Sequence, residues 1–144
     1  MFRIGVLVSG GGTNLQAIID RIEDGYLSNC EITSVVSSKE GVFALERAKK
    51  HGISARCIAR KAYSNTEEYS SALAAHFEQE NVDLIVLAGF LTVLSENFIK
   101  RFENCNIVIL YTSSKVYRPI ATNATICLPK ISSLPDSPFL IRFN

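Results

Sequence analysis

The sequence predicts an α/β fold: an open, mostly parallel sheet with helices on both faces. Three observations predict it. Short apolar runs alternate with helical-period segments along most of the chain. The runs are continuous rather than alternating, as in strands buried on both faces. Glycines stand at the junctions where strand gives way to helix.

The elements follow in order. Residues 3–9 (RIGVLVS) read as the first strand. Gly10, Gly11 and Gly12 come next, and then Leu15, Ile18, Ile19 and Ile22 recur at helical spacing. Thr13 or Asn14 is the expected N-cap of this helix, and Gly25 its stop. Residues 31–37 read as the second strand. Residues 42–51 read as a helix with Phe43, Leu45 and Ala48 inward and Gly52 as its end. A short strand over 55–59 precedes a helix over 66–80 that carries Tyr69, Leu73 and Phe77 on one stripe. Residues 83–88 (DLIVLA) form the clearest strand. Ser95 caps a helix to Phe102 that turns Phe98 and Phe102 inward, and residues 105–111 are the last strand. Right-handed crossovers between such strands give a doubly covered sheet.

Beyond Tyr111 the character changes. Residues 112–144 hold all four prolines, Pro119, Pro129, Pro135 and Pro138, and sustain neither period. The expected organisation is therefore an α/β domain over 1–111 and an irregular tail over 112–144, with no internal repeat.

Composition narrows the function. The chain has 144 residues, 47% apolar and 20% charged, with a net charge of +1. That size accommodates one sizeable core. The charge gives no footprint for nucleic acid or an anionic membrane, and no apolar run is long enough to span a bilayer. The amino terminus enters a strand at once, without the features of a signal peptide. Cys30, Cys57, Cys105 and Cys127 form no CxxC pair, and they read as reduced, mostly buried thiols of a cytoplasmic protein. No His, Cys or acidic cluster has metal-ligand spacing.

Two segments carry candidate chemistry. The first is Ser9-Gly10-Gly11-Gly12-Thr13-Asn14-Leu15, between the first strand and the first helix. Backbone N–H groups at a helix start attract anions, and glycines let a phosphate approach. The alternative is a tight turn with no ligand. It is not a Walker loop, since no Lys precedes Thr13. It is a poor dinucleotide fingerprint, with Leu15 at the last glycine position and Ser37-Ser38 closing the second strand. The second segment is residues 87–95 (LAGFLTVLS), on the carboxyl edge of the clearest strand. Leu91, Val93 and Leu94 there either line a pocket for a flat ring or pack under the next helix. His51 and His76 read as structural, having no partner group in the sequence pattern. Glu46, Arg47, Lys49 and Lys50 read as a solvated helix face, and Glu67-Glu68 as first-turn charge.

Taken together, the segments resemble a family. SGGGTNLQAII over 9–19 is similar to the SGxGSNLQAI opening of the folate-dependent glycinamide ribonucleotide formyltransferases, also called phosphoribosylglycinamide formyltransferases. Ser38-Lys39, residues 44–48 and Gly52-Ile53 resemble that family's second strand and helix. VLAGFLTVLSENFI over 86–99 resembles its VLAGFMRILSxxF. The matches fall in order over residues 3 to about 105, the family's N-terminal half.

The resemblance implies a Rossmann-like sheet of the formyltransferase N-terminal type, incomplete at its C-terminal end. It implies transfer of a formyl group from 10-formyltetrahydrofolate, as co-substrate and without metal, to glycinamide ribonucleotide in purine biosynthesis. Gly11, Gly12, Thr13 and Asn14 would hold the substrate phosphate. Leu91, Thr92, Val93 and Leu94 would border the folate, and Thr66 stands where the family has a folate-binding Arg. Another family Arg is replaced by Thr92. The family's catalytic Asn and His, from Asn-Ile-His-Pro-Ser, fall at Val108 and Leu110. Its Asp-x-Gly-Pro element is absent, since Asp136 is followed by Ser-Pro. The resemblance therefore implies an enzyme family, with no catalytic residue of that pattern in this chain and little or no activity. Two other readings stand beside it: a phosphate- or nucleotide-binding module without catalysis, and a truncated or frame-shifted family member. The expected partner is the small-molecule substrate, not nucleic acid or membrane. An uncovered sheet edge would allow self-association.

Overall fold

A computed structural model describes residues 1–102 and 106–110. The expected tail over 112–144, with Cys127, Asp136 and the four prolines, lies outside the described residues, as does Cys105. The element order is β1 (Phe2–Val8), α1 (Thr13–Glu23), β2 (Cys30–Ser37), α2 (Phe43–Lys50), β3 (Ala55–Cys57), a 3-10 turn (Arg60–Ala62), α3 (Thr66–Gln79), β4 (Leu84–Ala88), α4 (Glu96–Arg101) and β5 (Asn106–Leu110). The third strand is shorter than the expected 55–59, and its last residues run on to the 3-10 turn.

All pairings are parallel, in the order β3-β2-β1-β4-β5. Val6 of the central strand aligns with Val35 of β2 and Val86 of β4. The Rossmann-like expectation is met. Strands alternate their side chains between two faces, and each face has its own core. Val6, Val8, Val35 and Val86 meet Leu15 and Ile19 of α1 and Ala44, Leu45 and Ala48 of α2. Leu7, Val36, Ile85 and Leu87 meet Tyr69, Leu73 and Phe77 of α3 and Phe98 and Phe102 of α4. Both faces are covered, which is why these strands read as unbroken apolar runs. Tyr69, Phe77 and Phe98 are almost fully buried, and each such side chain contributes about 1.5–3 kcal/mol. The Tyr69 hydroxyl donates to the Ile58 carbonyl at 2.8 Å, tying α3 to the chain after β3. Burial pushes the Tyr69 hydroxyl pKa up.

Two local expectations are corrected. The N-cap of α1 is neither Thr13 nor Asn14 but Gly12, at φ 78°. The left-handed turn at Gly12 reverses the chain so abruptly that Thr13 and Asn14 are already helical. Phe43 is not inward: it is 59% exposed, and the Arg47 guanidinium lies 4.6 Å over its ring. Ala44, one residue on, takes the buried position instead. The capping by Ser95 holds, its side chain accepting the Phe98 N–H at 3.3 Å.

Candidate functional site

The strand order places a topological switch point between β1 and β4, whose connections leave for opposite faces of the sheet. In open α/β sheets ligands bind outside the carboxyl ends of the strands at such a point. The glycine loop leaves the carboxyl end of β1, and residues 89–95 leave that of β4. One side chain joins them. Ser9 Oγ accepts the Leu91 N–H at 3.0 Å and shares a 2.6 Å hydrogen bond with Ser38 Oγ at the end of β2. Ser9 and Ser38 are buried, so little water competes for these bonds. Both loops therefore stand on one edge, as the sequence predicts.

The glycine loop is held from behind by α2. The Ala44 N–H donates to the Gly10 carbonyl at 3.2 Å, and Arg47 Nε donates to the Gly11 carbonyl at 2.8 Å. A Cβ on Gly12 would fall 2.7 Å from Ala44 Cβ and 2.8 Å from its Cα. Glycine is thus required there twice, for its positive φ and for the close approach of α2. Gly10 and Gly11 have open space instead, which leaves backbone accessible to a ligand. The first intrahelical bond runs from Gln16 N–H to the Gly12 carbonyl, so the amides of Thr13 and Leu15 have no acceptor within the helix. Asn14 is buried at this point.

The β4 segment turns at Gly89, with φ 68°. Its apolar side chains divide. Phe90 and Leu94 are buried in the α3–α4 core. Leu91 is 59% exposed and Val93 44% exposed. Packing under the next helix therefore accounts for Leu94 alone, and Leu91 and Val93 present apolar surface at the carboxyl edge. Thr92 is half-buried between them. Thr66, also half-buried, opens α3 on the same edge. The first turn of α3 is fastened to the start of α4 by Ser95 N–H to Ser70 Oγ at 2.9 Å and Asn97 Nδ2 to Glu67 Oε1 at 2.7 Å. In the β4–β5 register Val108 pairs with Val86 and Leu110 with Ala88. Val108 and Leu110, where the resemblance puts the family's Asn and His, thus lie beside β4, with Leu110 level with its last residue.

Both histidines have partners, contrary to expectation. His51 Nδ1 lies 2.6 Å from Glu23 Oε1, and His76 Nε2 lies 3.0 Å from Ser34 Oγ. The pairs join residues far apart in sequence, so no local pattern announces them. Burial, aided by the Arg56 charge and opposed by Glu80, holds the His76 pKa below its ordinary value. Cys30 and Cys57 are free and half-buried, with burial raising both thiols. Among the described residues no group of His, Cys, Asp or Glu could hold a metal ion. Among them too, no helix is long and apolar enough to cross a membrane. The sequence pattern places Arg47 on a solvated helix face, and the structure corrects this: its side chain is half-buried and reaches back to the Gly11 carbonyl and to Gln16. Ser9 reads in sequence only as the polar residue that closes the first apolar run and opens the glycine motif, and its contact with Leu91 has no signal there.

A family model described as formyl transferase matches residues 2–113. The chain belongs to this family. It is 47% identical over 111 residues to the phosphoribosylglycinamide formyltransferase of Dictyostelium discoideum, a match over 72% of this chain and 53% of that protein. It is 41% identical over 102 residues to the phosphoribosylglycinamide formyltransferase of Haemophilus influenzae, over 71% of this chain and 48% of the relative. Among solved structures, glycinamide ribonucleotide transformylase 1 from Symbiobacterium toebii superposes with a TM-score of 0.72 at 35% identity, covering 77% of this chain and 51% of that one. The chain spans about half the length of these formyltransferase relatives, and the family match falls on its N-terminal part.

Proposed function

We propose that residues 1–111 form the substrate-binding half of a phosphoribosylglycinamide formyltransferase, a cytoplasmic enzyme of purine synthesis. Its reaction moves the formyl group of 10-formyltetrahydrofolate to the amine of glycinamide ribonucleotide. The amine nitrogen forms a bond to the formyl carbon, the carbonyl oxygen becomes an oxyanion, the bond to the folate nitrogen breaks, and a proton passes from the amine to that nitrogen. The observation that carries the proposal is the Ser9 Oγ to Leu91 N–H bond of 3.0 Å. It fixes an anion-attracting loop and an exposed apolar segment side by side at the switch point. In this reading Gly11, Gly12, Thr13 and Asn14 hold the phosphate through backbone amides and the α1 dipole. Leu91 and Val93 offer apolar surface to the pterin, with Thr92, Leu94 and Thr66 bordering it.

This chain binds substrate but transfers the formyl group very slowly. Val108 and Leu110 stand where the family places its oxyanion-stabilising Asn and His. Loss of one oxyanion donor costs about 10²- to 10³-fold in rate. Losing both costs more, though such losses do not simply multiply. The test uses the purified 144-residue chain. Glycinamide ribonucleotide is titrated calorimetrically, and formyl transfer is assayed beside the Haemophilus influenzae relative. Saturable binding with transfer at least a hundredfold slower than the relative is expected. No binding at millimolar ligand, about −4 kcal/mol, overturns the phosphate site. Transfer within tenfold of the relative overturns the assignment of the missing groups.

A further inference from the structure

Arg47 is the one cation whose side chain reaches the glycine loop among the described residues' hydrogen bonds. It stands one turn beyond Phe43 on α2 and turns back over the Phe43 ring. Its Nε donates to the Gly11 carbonyl at 2.8 Å and its Nη1 to Gln16 Oε1 at 3.3 Å. Gln16 is itself oriented, because its Nε2 donates to Asp20 Oδ1 at 2.8 Å and so leaves Oε1 for Arg47. The guanidinium is therefore fixed on three sides.

The consequence for the loop follows from peptide geometry. In a trans peptide the carbonyl and the next residue's N–H point in opposite directions, and no peptide bond here is cis. The Gly10 carbonyl is turned to the Ala44 N–H and the Gly11 carbonyl to Arg47 Nε. The N–H groups of Gly11 and Gly12 therefore both face away from α2, and neither has a backbone acceptor among the described residues. Successive N–H groups facing one way make an anion-binding concavity. Gly11 has no neighbour within 4 Å of where a Cβ would stand, so packing holds this peptide only from its Gly12 end, against Ala44. At the Gly11 end the hydrogen bond from Arg47 fixes the carbonyl.

We propose that Arg47 is a positioning residue for the substrate phosphate: its grip on the Gly11 carbonyl keeps the Gly12 N–H aimed at the anion. The inference rests on the phosphate reading above. It gives the hydrogen bond, rather than the positive charge, the larger part. Three substitutions separate the two. The Nε2 of Gln occupies nearly the position of Arg Nε along the side chain, so R47Q keeps the donor and loses the charge. R47K keeps the charge but moves the donor one atom out. R47M keeps the apolar stem and loses both.

The experiment titrates inorganic phosphate, and then glycinamide ribonucleotide, into the ¹⁵N-labelled chain while the Gly11 and Gly12 amide signals are followed by NMR. Saturable movement of both signals is expected in the parent. R47M is expected to need roughly tenfold more ligand, equivalent to about 1.4 kcal/mol, with the Ala44 and Ala48 signals in place. R47Q is expected within about threefold of the parent. A parent without saturable movement defeats the phosphate reading itself. A parent that binds while R47M binds equally well leaves that reading standing and overturns the role of Arg47. If R47M does not fold, R47Q and R47K decide between them. R47Q binding at least as tightly as R47K supports the hydrogen bond, and R47Q tenfold weaker than R47K overturns it.

Discussion

Removing one hydroxyl, in Ser9→Ala, tests whether the clamp at the switch point is real. The substitution takes away the acceptor of the Leu91 N–H and the partner of Ser38 Oγ, at 3.0 and 2.6 Å. A buried polar group left unpaired costs about 1–3 kcal/mol. Ser38 is buried and keeps little access to water, so its hydroxyl belongs in the middle of that range. Leu91 is 59% exposed, and its N–H can recover part of its loss from solvent. The sum is about 2–3 kcal/mol, and the thermal midpoint should fall by roughly 8–20 °C for a domain of this size. Ser64→Ala is the control, since Ser64 Oγ donates to Glu68 at the exposed surface and surface changes stay within about 0.5 kcal/mol. The assay is thermal unfolding by circular dichroism, with amide exchange at Leu91 read in parallel. Ser9→Ala/Ser38→Ala should be less destabilised than the single change plus an independent Ser38→Ala, because no orphaned hydroxyl remains. The reasoning is refuted if Ser9→Ala melts with the Ser64→Ala control, or if Leu91 exchange is unchanged while stability drops.

Two further outcomes follow from the same structure. Gly12→Ala should cost about 1–2 kcal/mol for the left-handed φ and a further ~1–3 kcal/mol for overlap with Ala44. Urea unfolding measures it, and a loss under 1 kcal/mol would show that α2 withdraws freely. The buried His76 has its pKa lowered in the folded chain, so the unfolded chain takes up the proton first as pH falls below about 6.5. Stability from neutral His76 is therefore complete above that pH and is lost on acidification toward the folded pKa. The stability difference between the parent and His76→Gln, which keeps a partner for Ser34, should shrink between pH 7.5 and 5.5. A difference that grows on acidification would contradict the assigned sign.

The sequence by itself determined the class of fold, the order of elements and the place of both loops. Strand burial and helical faces are written in residues one to four positions apart, and the apolar runs at β1 and β4 and the stripe Tyr69, Leu73, Phe77 express that local rule directly. The family likeness was legible for the same reason, since its motifs are contiguous: residues 9–19 and 86–99. Tertiary structure alone decided what holds the loops. Ser9 meets Leu91 across 82 positions, Arg47 meets Gly11 across 36, and His76 meets Ser34 across 42. None of these pairs has a periodic signature, because each depends on strand order rather than on neighbours in the chain. Gly12 shows the boundary between the two. Its place before a helix is local, but the need for glycine comes from Ala44 on the next helix, 2.7 Å from where a Cβ would be. The exposure of Phe43 has the same origin: the helical period marks it as a neighbour of the core stripe, and the approach of α2 to the glycine loop turns Ala44 inward in its place.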